Sequence, residues 1–443
     1  MDTATRRRGS IVLGVAIFGL IAAVFLLLPD RTVSIVPTGS ADIAGNTAQG
    51  PTNTTSVPGI PEAPLPTASS TQGISQPIGV TDLPPQQPLP NPPAIVKGIY
   101  LTNWTAGSSK RLASLASLVD RTELNAMVID IKDYSGYVAY RTGISDVAAI
   151  GAENEIRIAR PNALIKELHD KGIYVIGRIS VFQDPLLAKA HPEWAVQNKN
   201  TGKVWTDRKG LAWMDTAAKP VWDYHVALAR DAFARGFDEV NFDYIRFPSD
   251  GDLSLTSFPF WDEKTAQHRI VASFFEYLRE RLPARKLSAD LFGLTTSASD
   301  DLGIGQKIED AYANFDYVCP MVYPSHFASG YGGFKEPAAH PYEVIAASMT
   351  AGLAKLTAYV RSVTNVETAT STATSTVDWE PTVMNDIHVA KLRPWLQVFD
   401  LGAVYDTAKI KAQIKAADDV LAGTEHYAGW LLWDPSNNYR YYQ

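Results

Sequence analysis

A (β/α)8 barrel with enlarged loops and a missing or replaced last helix is the α/β fold class this sequence predicts, and three observations predict it. From Val96 to Asp434 short apolar strands alternate with amphipathic helical stretches, the pattern of a parallel sheet covered by helices. The alternation supplies eight strands, which suit a closed barrel better than an open doubly wound sheet. Polar side chains gather at the carboxyl ends of several strands, the face on which barrel enzymes place their active sites.

The first element lies outside the barrel. Arg6, Arg7 and Arg8 precede an uncharged apolar run from Ile11 to Leu28, near the lower limit for a helix crossing a hydrocarbon core of roughly 30 Å. That run is long for the apolar part of a cleaved signal, about 7 to 15 residues, and no small-x-small site follows Leu28. Residues 1–30 are therefore expected to form an uncleaved transmembrane anchor, with a cleaved signal as the alternative. Positive charge ahead of the run implies a single-pass cell-membrane protein with everything after Asp30 extracellular. Residues 31–94 contain no aromatic residue and are rich in Pro, Thr, Ser and Gly, so they are expected to be a disordered tether.

The barrel domain is expected over residues 95–443. Its strands are expected at Val96 to Thr102, Ala126 to Lys132, Ile173 to Ser180, Glu239 to Ile245, Lys286 to Gly293, Tyr317 to Tyr323, Pro394 to Phe399 and Gly429 to Trp433. Helical periodicity falls between them at Lys110 to Asp120, Asn162 to Lys171, Val221 to Arg235, Gln267 to Leu282, Tyr342 to Val360 and Thr407 to Leu421. The chain stops soon after the eighth strand, so the last helix is expected to be missing or replaced. A Thr-Ala-Ser run from Thr368 to Thr376 reads as an exposed loop insertion.

Strand parity picks out the candidate site. In Glu239-Val-Asn-Phe-Asp-Tyr-Ile-Arg-Phe-Pro248, Val240 and Phe242 alternate with Asn241 and Asp243, so a strand buried on one face ends by presenting a carboxylate. A buried carboxylate is usually paired, capping or catalytic. In the fifth strand Ser288 and Asp290 share the inward face, which puts Asp290 beside Asp243. The second strand reads as Met127, Ile129 and Ile131 outward with Asp130 and Lys132 inward; the third gives Arg178 and Ser180 inward, and the eighth gives Trp430 and Asp434 on one parity. Strand spacing of about 4.8 Å would hold Asp243 and Asp290 near the roughly 5 to 5.5 Å separation of retaining glycosidases. Asp243, with Arg246 and Asn241 close in sequence, is the expected nucleophile and Asp290 the acid/base, with Glu193 and Asp133 as rival donors. Trp104, Tyr134, Tyr137, Trp194, Trp205, Trp213, Tyr244, Tyr323, Trp433 and Tyr439 fall at or beyond strand ends, where flat rings could stack on sugars. His326 could bond a sugar hydroxyl or stabilise developing charge. Loops carrying Trp194, Trp205 and Trp213 suggest subsites for a polymer.

Other chemistries fit less well. A net charge of −7 with interspersed signs gives no basic face for nucleic acid. The eight histidines have no paired spacing, which disfavours a metal-dependent deacetylase; no metal or cofactor is expected. Cys319, the single cysteine, reads as core filler and leaves the redox compartment open. A non-catalytic wall-binding module on a membrane stalk is the alternative, since tether and aromatic cleft serve binding equally well. Oligomeric state is not legible.

Six segments carry a family resemblance: Lys97-Gly-Ile-Tyr-Leu-Thr102, Val128-Ile-Asp-Ile-Lys-Asp133, Phe242-Asp-Tyr-Ile-Arg-Phe-Pro-Ser-Asp250, Ser288-Ala-Asp-Leu-Phe-Gly293, Pro320-Met-Val-Tyr-Pro-Ser-His326 and Leu432-Trp-Asp-Pro-Ser-Asn437. With them the chain from Val96 onward resembles a family of bacterial extracellular proteins assigned to glycoside hydrolysis by similarity, distantly similar to the α-amylase-like barrels. The resemblance implies a glycosidase barrel acting on an oligo- or polysaccharide, with Asp243 matching the nucleophile at the end of the fourth strand. This sequence has Asp290 where those barrels carry a donor Glu, and its seventh strand lacks their His-Asp pair. Asp130, Lys132, Asp133, Arg178, Trp104, Tyr244, Arg246, Tyr323, His326, Trp433 and Asp434 are the expected substrate-binding residues.

Overall fold

A computed structural model describes residues 81–372, 388–440 and 442, with backbone alone for 365–372. Eight parallel strands close on themselves: β1 (Val96–Leu101), β2 (Ala126–Lys132), β3 (Tyr174–Ser180), β4 (Glu239–Asp243), β5 (Leu287–Phe292), β6 (Tyr317–Met321), β7 (Trp395–Gln397) and β8 (Gly429–Trp433). The ring is completed by β8 beside β1 and by Trp395 of β7 opposite Met321 of β6. All eight expected strands are present. Helices α1 (Ser109–Arg121), α2 (Pro161–His169), α3 (Lys219–Arg235), α4 (Gln267–Arg281), the one-turn α5 (Ile308–Ala311), α6 (Pro341–Thr372) and α7 (Thr407–Leu421) connect them.

Alternation sorts the side chains into two cores, as a period of two requires. Outward residues such as Met127, Ile129, Ile131, Leu287, Ala289 and Leu291 join the large layer under the helices. Inward residues, among them Val96, Tyr100, Val128, Tyr174, Ile176, Cys319, Trp395 and Leu431, fill the barrel itself. Cys319 is buried there, as expected of core filler. Gly429 opens β8 at φ +96, where a Cβ would sit 1.9 Å from the Val96 carbonyl oxygen, so β1 and β8 can lie side by side only with glycine at this point.

Where an eighth helix would stand, the chain folds back across β1. Asp434 accepts from the Ser436 backbone N–H at 2.8 Å and its hydroxyl at 2.7 Å, Asn437 Nδ2 donates to the Tyr100 carbonyl at 3.0 Å, and the Tyr439 hydroxyl donates to the same carbonyl at 2.7 Å.

Two boundaries differ from the sequence reading. The tether expected to run to Ala94 is already seated by Asp82, whose carboxylate accepts from the Asn162 and Ala163 backbone N–H groups and so caps α2, while the Gln86 N–H donates to the Arg235 carbonyl. Helix α6 continues through the first residues of the Thr-Ala-Ser run to Thr372 rather than ending near Val360. The expected anchor and most of the tether lie outside the described residues, among which no helix is long and apolar enough to cross a membrane.

Candidate active site

Arg178, inward on β3, is the centre of the polar cluster. Register sets it opposite Asp130 on β2, and puts Ser180, two residues on, opposite Asp243 on β4. Its Nη1 donates to Asp130 Oδ1 at 2.6 Å, Nη2 donates to Asp243 Oδ2, and Nε lies 3.8 Å from Asp290 Oδ2. One guanidinium therefore touches three carboxylates from three strands. Burial works against its charge, but Asp243 and Asp130 hold Arg178 above the ordinary arginine range. Asp243 and Asp290 are 3% and 1% exposed, so water screens this cluster little.

The two central carboxylates have different surroundings. Asp243 accepts on both oxygens, from Arg178 and, at 2.6 Å on Oδ1, from the Tyr244 backbone N–H, the pattern of an anion. Tyr244 takes φ +53 to make that contact, a left-handed conformation that a bulky residue adopts only where the surroundings impose it. Asp290 Oδ1 receives two donors, Asn241 Nδ2 and Trp395 Nε1, each at 2.8 Å. Burial and then the charge of Asp243 push its carboxyl up to about 8, so near neutrality it keeps its proton. With Oδ1 occupied by N–H donors, Oδ2 is the oxygen left to carry it. Asp130, raised to about 6 by burial, also accepts from the Tyr100 hydroxyl at 2.5 Å.

Below this layer lies a second one that sequence reading missed. Arg393, just before β7, pairs with Glu239 at the start of β4, both fully buried. Glu239 also accepts from the Ser288 hydroxyl at 2.5 Å, and Asn241 Nδ2 donates to Ser288 Oγ at 3.0 Å as well as to Asp290. The axis is thus threaded by a continuous polar chain, from the Arg393 plug to the carboxylates. Asn241 and Ser288 were read as inward by parity; Tyr100 and Trp395 were not singled out, though the same parity gives them, and Arg393, outside any expected strand, gave no such signal.

The expected substrate-binding residues divide. The Tyr323 hydroxyl is buried with no hydrogen-bond partner among the described residues, and Asp290, Asp243 and Arg178 all act on it electrostatically. Trp104, 61% exposed in the one-turn helix Asn103–Ala106 after β1, keeps an open ring, with the Arg157 guanidinium 4.6 Å from its centroid. Asp133 is tied to the same Arg157 at 2.9 Å and to Asn103 at 3.0 Å. Arg246 is buried among the rings of Trp213, Tyr244 and Phe292, and burial lowers it to about 10. Contrary to expectation, Arg178 and not Arg246 grips Asp243, and Asn241 turns to Asp290.

Several residues have positions or partners that the sequence reading did not supply. Lys132 faces away from the axis because the β2–β3 register slips after Asp130, pairing it with outward Ile179; it is fully buried on Asp184 at 2.9 Å. Asp434 serves the carboxy-terminal turn, Trp430 joins the outer core, and Trp433 lies stacked on Tyr100 with centroids 3.8 Å apart. His326 packs edge-on against Tyr323, and burial lowers it to about 4, so the ring is neutral and brings no positive charge. Trp205 and Trp213 are buried and Trp194 stacks on His191, so they are not the open platforms the loops suggested. Glu193, 60% exposed by side chain, bonds its neighbour His191. Among the described residues no group of His, Cys, Asp or Glu is placed to hold a metal ion.

A family model described as "Putative glycosyl hydrolase domain" matches residues 98–365 and 357–439. A hypothetical protein of known structure from Ruminiclostridium thermocellum is 41% identical over 46% of this chain and 98% of its own, with a TM-score of 0.41. The glycoside hydrolase domain of PgaB (BpsB) from Bordetella bronchiseptica is 12% identical over 77% of this chain and 94% of its own, TM-score 0.49. A variant of the glycoside hydrolase domain of PelA from Pseudomonas aeruginosa is 12% identical over 78% and 97%, TM-score 0.40. No curated protein sequence matches the chain.

Proposed function

Because the chain belongs to the glycosyl hydrolase family whose model covers most of the barrel, we propose that it is a retaining glycosidase, with Asp243 as nucleophile and Asp290 as acid/base. The observation that carries this reading is the pair itself: two carboxyls on neighbouring strands, touching one guanidinium, one bound as an anion and the other raised to about 8. In the first step Asp243 attacks the anomeric carbon as the glycosidic bond breaks, and the Asp290 Oδ2 proton passes to the leaving oxygen. In the second, Asp290 takes a proton from water, the water oxygen bonds the anomeric carbon, and the ester to Asp243 breaks. Net configuration is kept. Arg178 orients Asp243 for attack through the hydrogen bond to Oδ2, and the Tyr323 hydroxyl, which has no hydrogen-bond partner among the described residues, offers a donor to the sugar.

The substrate we propose is an extracellular or cell-wall polysaccharide, reached from a membrane tether formed by residues 1–30 and the Pro-rich run after them. Its test is reducing-sugar release by the full chain from a panel of cell-wall and storage polysaccharides. Turnover should fall by at least about 10³-fold in Asp243→Asn and Asp290→Asn, in line with removal of a principal catalytic group; turnover persisting in either variant would overturn the assignment.

The depth of the pair favours one second reading, a non-catalytic glycan-binding module in which these carboxylates only brace the barrel. Under that reading the wild type turns over no glycan in the panel. Under the catalytic reading the wild type releases reducing sugar from at least one glycan and both Asn variants lose that release.

A further inference from the structure

Beyond the axial carboxylates, the long loops after β3 and β4 meet in a short antiparallel ribbon, Gln197–Asn198 against Thr256–Ser257. Beside it opens a crevice of about 300 Å³ lined by Phe247, Phe258, Trp261, Lys199, Glu263 and Gln267. Its three rings meet edge to face, with centroids 4.9 Å apart for Phe247 and Trp261, 5.5 Å for Phe247 and Phe258, and 5.1 Å for Phe258 and Trp261. Such packing makes a rigid apolar corner. Trp261 Nε1 is committed to the Thr265 carbonyl at 2.7 Å, so the indole offers the crevice its carbon surface alone.

The rim has the opposite chemistry. Lys199 and Glu263 are exposed, and among the described residues neither forms an ion pair. Glu263 is held at φ +54, a strained conformation for a glutamate, and strain of this kind gathers at ligand sites. An aromatic corner rimmed by an unpaired cation, an unpaired carboxylate and an amide suits a neutral, hydroxyl-rich ring. Its C–H face packs on carbon while its hydroxyls find donors and acceptors.

Position ties this crevice to the reaction. Phe247 lies four residues after Asp243, at most about 14 Å along an extended chain, and its carbonyl accepts from Arg246 Nη1 at 3.0 Å. We infer that the crevice is an accessory subsite for a neutral sugar unit of the same glycan that is cleaved at Asp243 and Asp290, which makes the substrate a polymer or long oligosaccharide. This inference rests on the glycosidase reading for its role and on the crevice alone for its binding.

The test separates the two. Affinity electrophoresis of the full chain in gels containing peptidoglycan fragments, xylan, dextran or soluble starch is run beside kinetics on the same polysaccharides and on p-nitrophenyl glycosides. Trp261→Ala, and the rim double variant Lys199→Ala with Glu263→Gln, which leaves the aromatic packing intact, should lose retardation in the gel that retards wild type. Their ratio of kcat/KM on polymer to kcat/KM on aryl glycoside should drop about tenfold. Retardation in no gel, or equal retardation of all forms, overturns the subsite even if turnover depends on Asp243. Retardation that depends on Trp261 with no turnover in wild type keeps the subsite and removes the glycosidase reading.

Discussion

Arg178 sets the electrostatics of the site, because three buried carboxylates have one shared cation and little water. Arg178→Met should destabilise the protein by about 3–5 kcal/mol in urea titration, since it strands charges that the interior does not solvate; a loss below about 1 kcal/mol would mean that the carboxylates are satisfied elsewhere. Trp395 acts on a single proton. Its N–H stabilises ionised Asp290, so Trp395→Phe should raise the Asp290 pKa and move the basic limb of the pH–rate profile to higher pH. A limb that stays in place or moves down contradicts the assignment of Asp290 as acid. The carboxylates themselves were legible in the sequence, as polar residues on the inward parity of apolar strands. Their partners were not, because Arg246 is nearer Asp243 along the chain while Arg178 reaches it across a neighbouring strand.

At the scale of elements, small departures from regularity decide which way side chains face. Strict alternation places Lys132 at the axis, and the register slip after Asp130 sends it to the helix layer. Lys132→Met should therefore lower stability, by leaving Asp184 buried without its cation, while kcat of the folded protein changes less than twofold. A large loss of kcat at unchanged stability would return Lys132 to the site. The turn after β8 is bound to β1 through hydrogen bonds, and Tyr439→Phe removes the hydroxyl that donates to the Tyr100 carbonyl. A loss of about 1–3 kcal/mol in thermal or urea unfolding is expected, and no loss would show the tail to be dispensable. The sequence carried no sign of this turn, because single hydrogen bonds leave no periodicity.

Taken as a whole molecule, the barrel was legible because eight strands and six of the helices repeat one pattern strongly enough to count. Which loop aromatics stay open was not, since burial depends on how loops pack against each other. Trp205 and Trp213 went inside, whereas Trp104 stayed out. Global stability should carry the signature of the axial carboxyls. Asp130 and Asp290, held at about 6 and about 8 against an ordinary 3.8, keep protons that the unfolded chain releases. Their stabilisation is full below about pH 4 and is lost as pH rises through 6 and 8. Asp290→Asn should flatten the upper part of that decline in the unfolding free energy measured against pH, and an unchanged slope between pH 6 and 8 would exclude a raised Asp290.

Covalent trapping reaches the centre of the account. Incubation of the full chain with a panel of 2-deoxy-2-fluoro glycosyl fluorides, followed by tandem mass spectrometry of the digested protein, should find one glycosyl adduct on Asp243 and none in Asp243→Asn. An adduct on Asp290, Asp133 or Glu193, or glycan turnover surviving in Asp243→Asn, would contradict it.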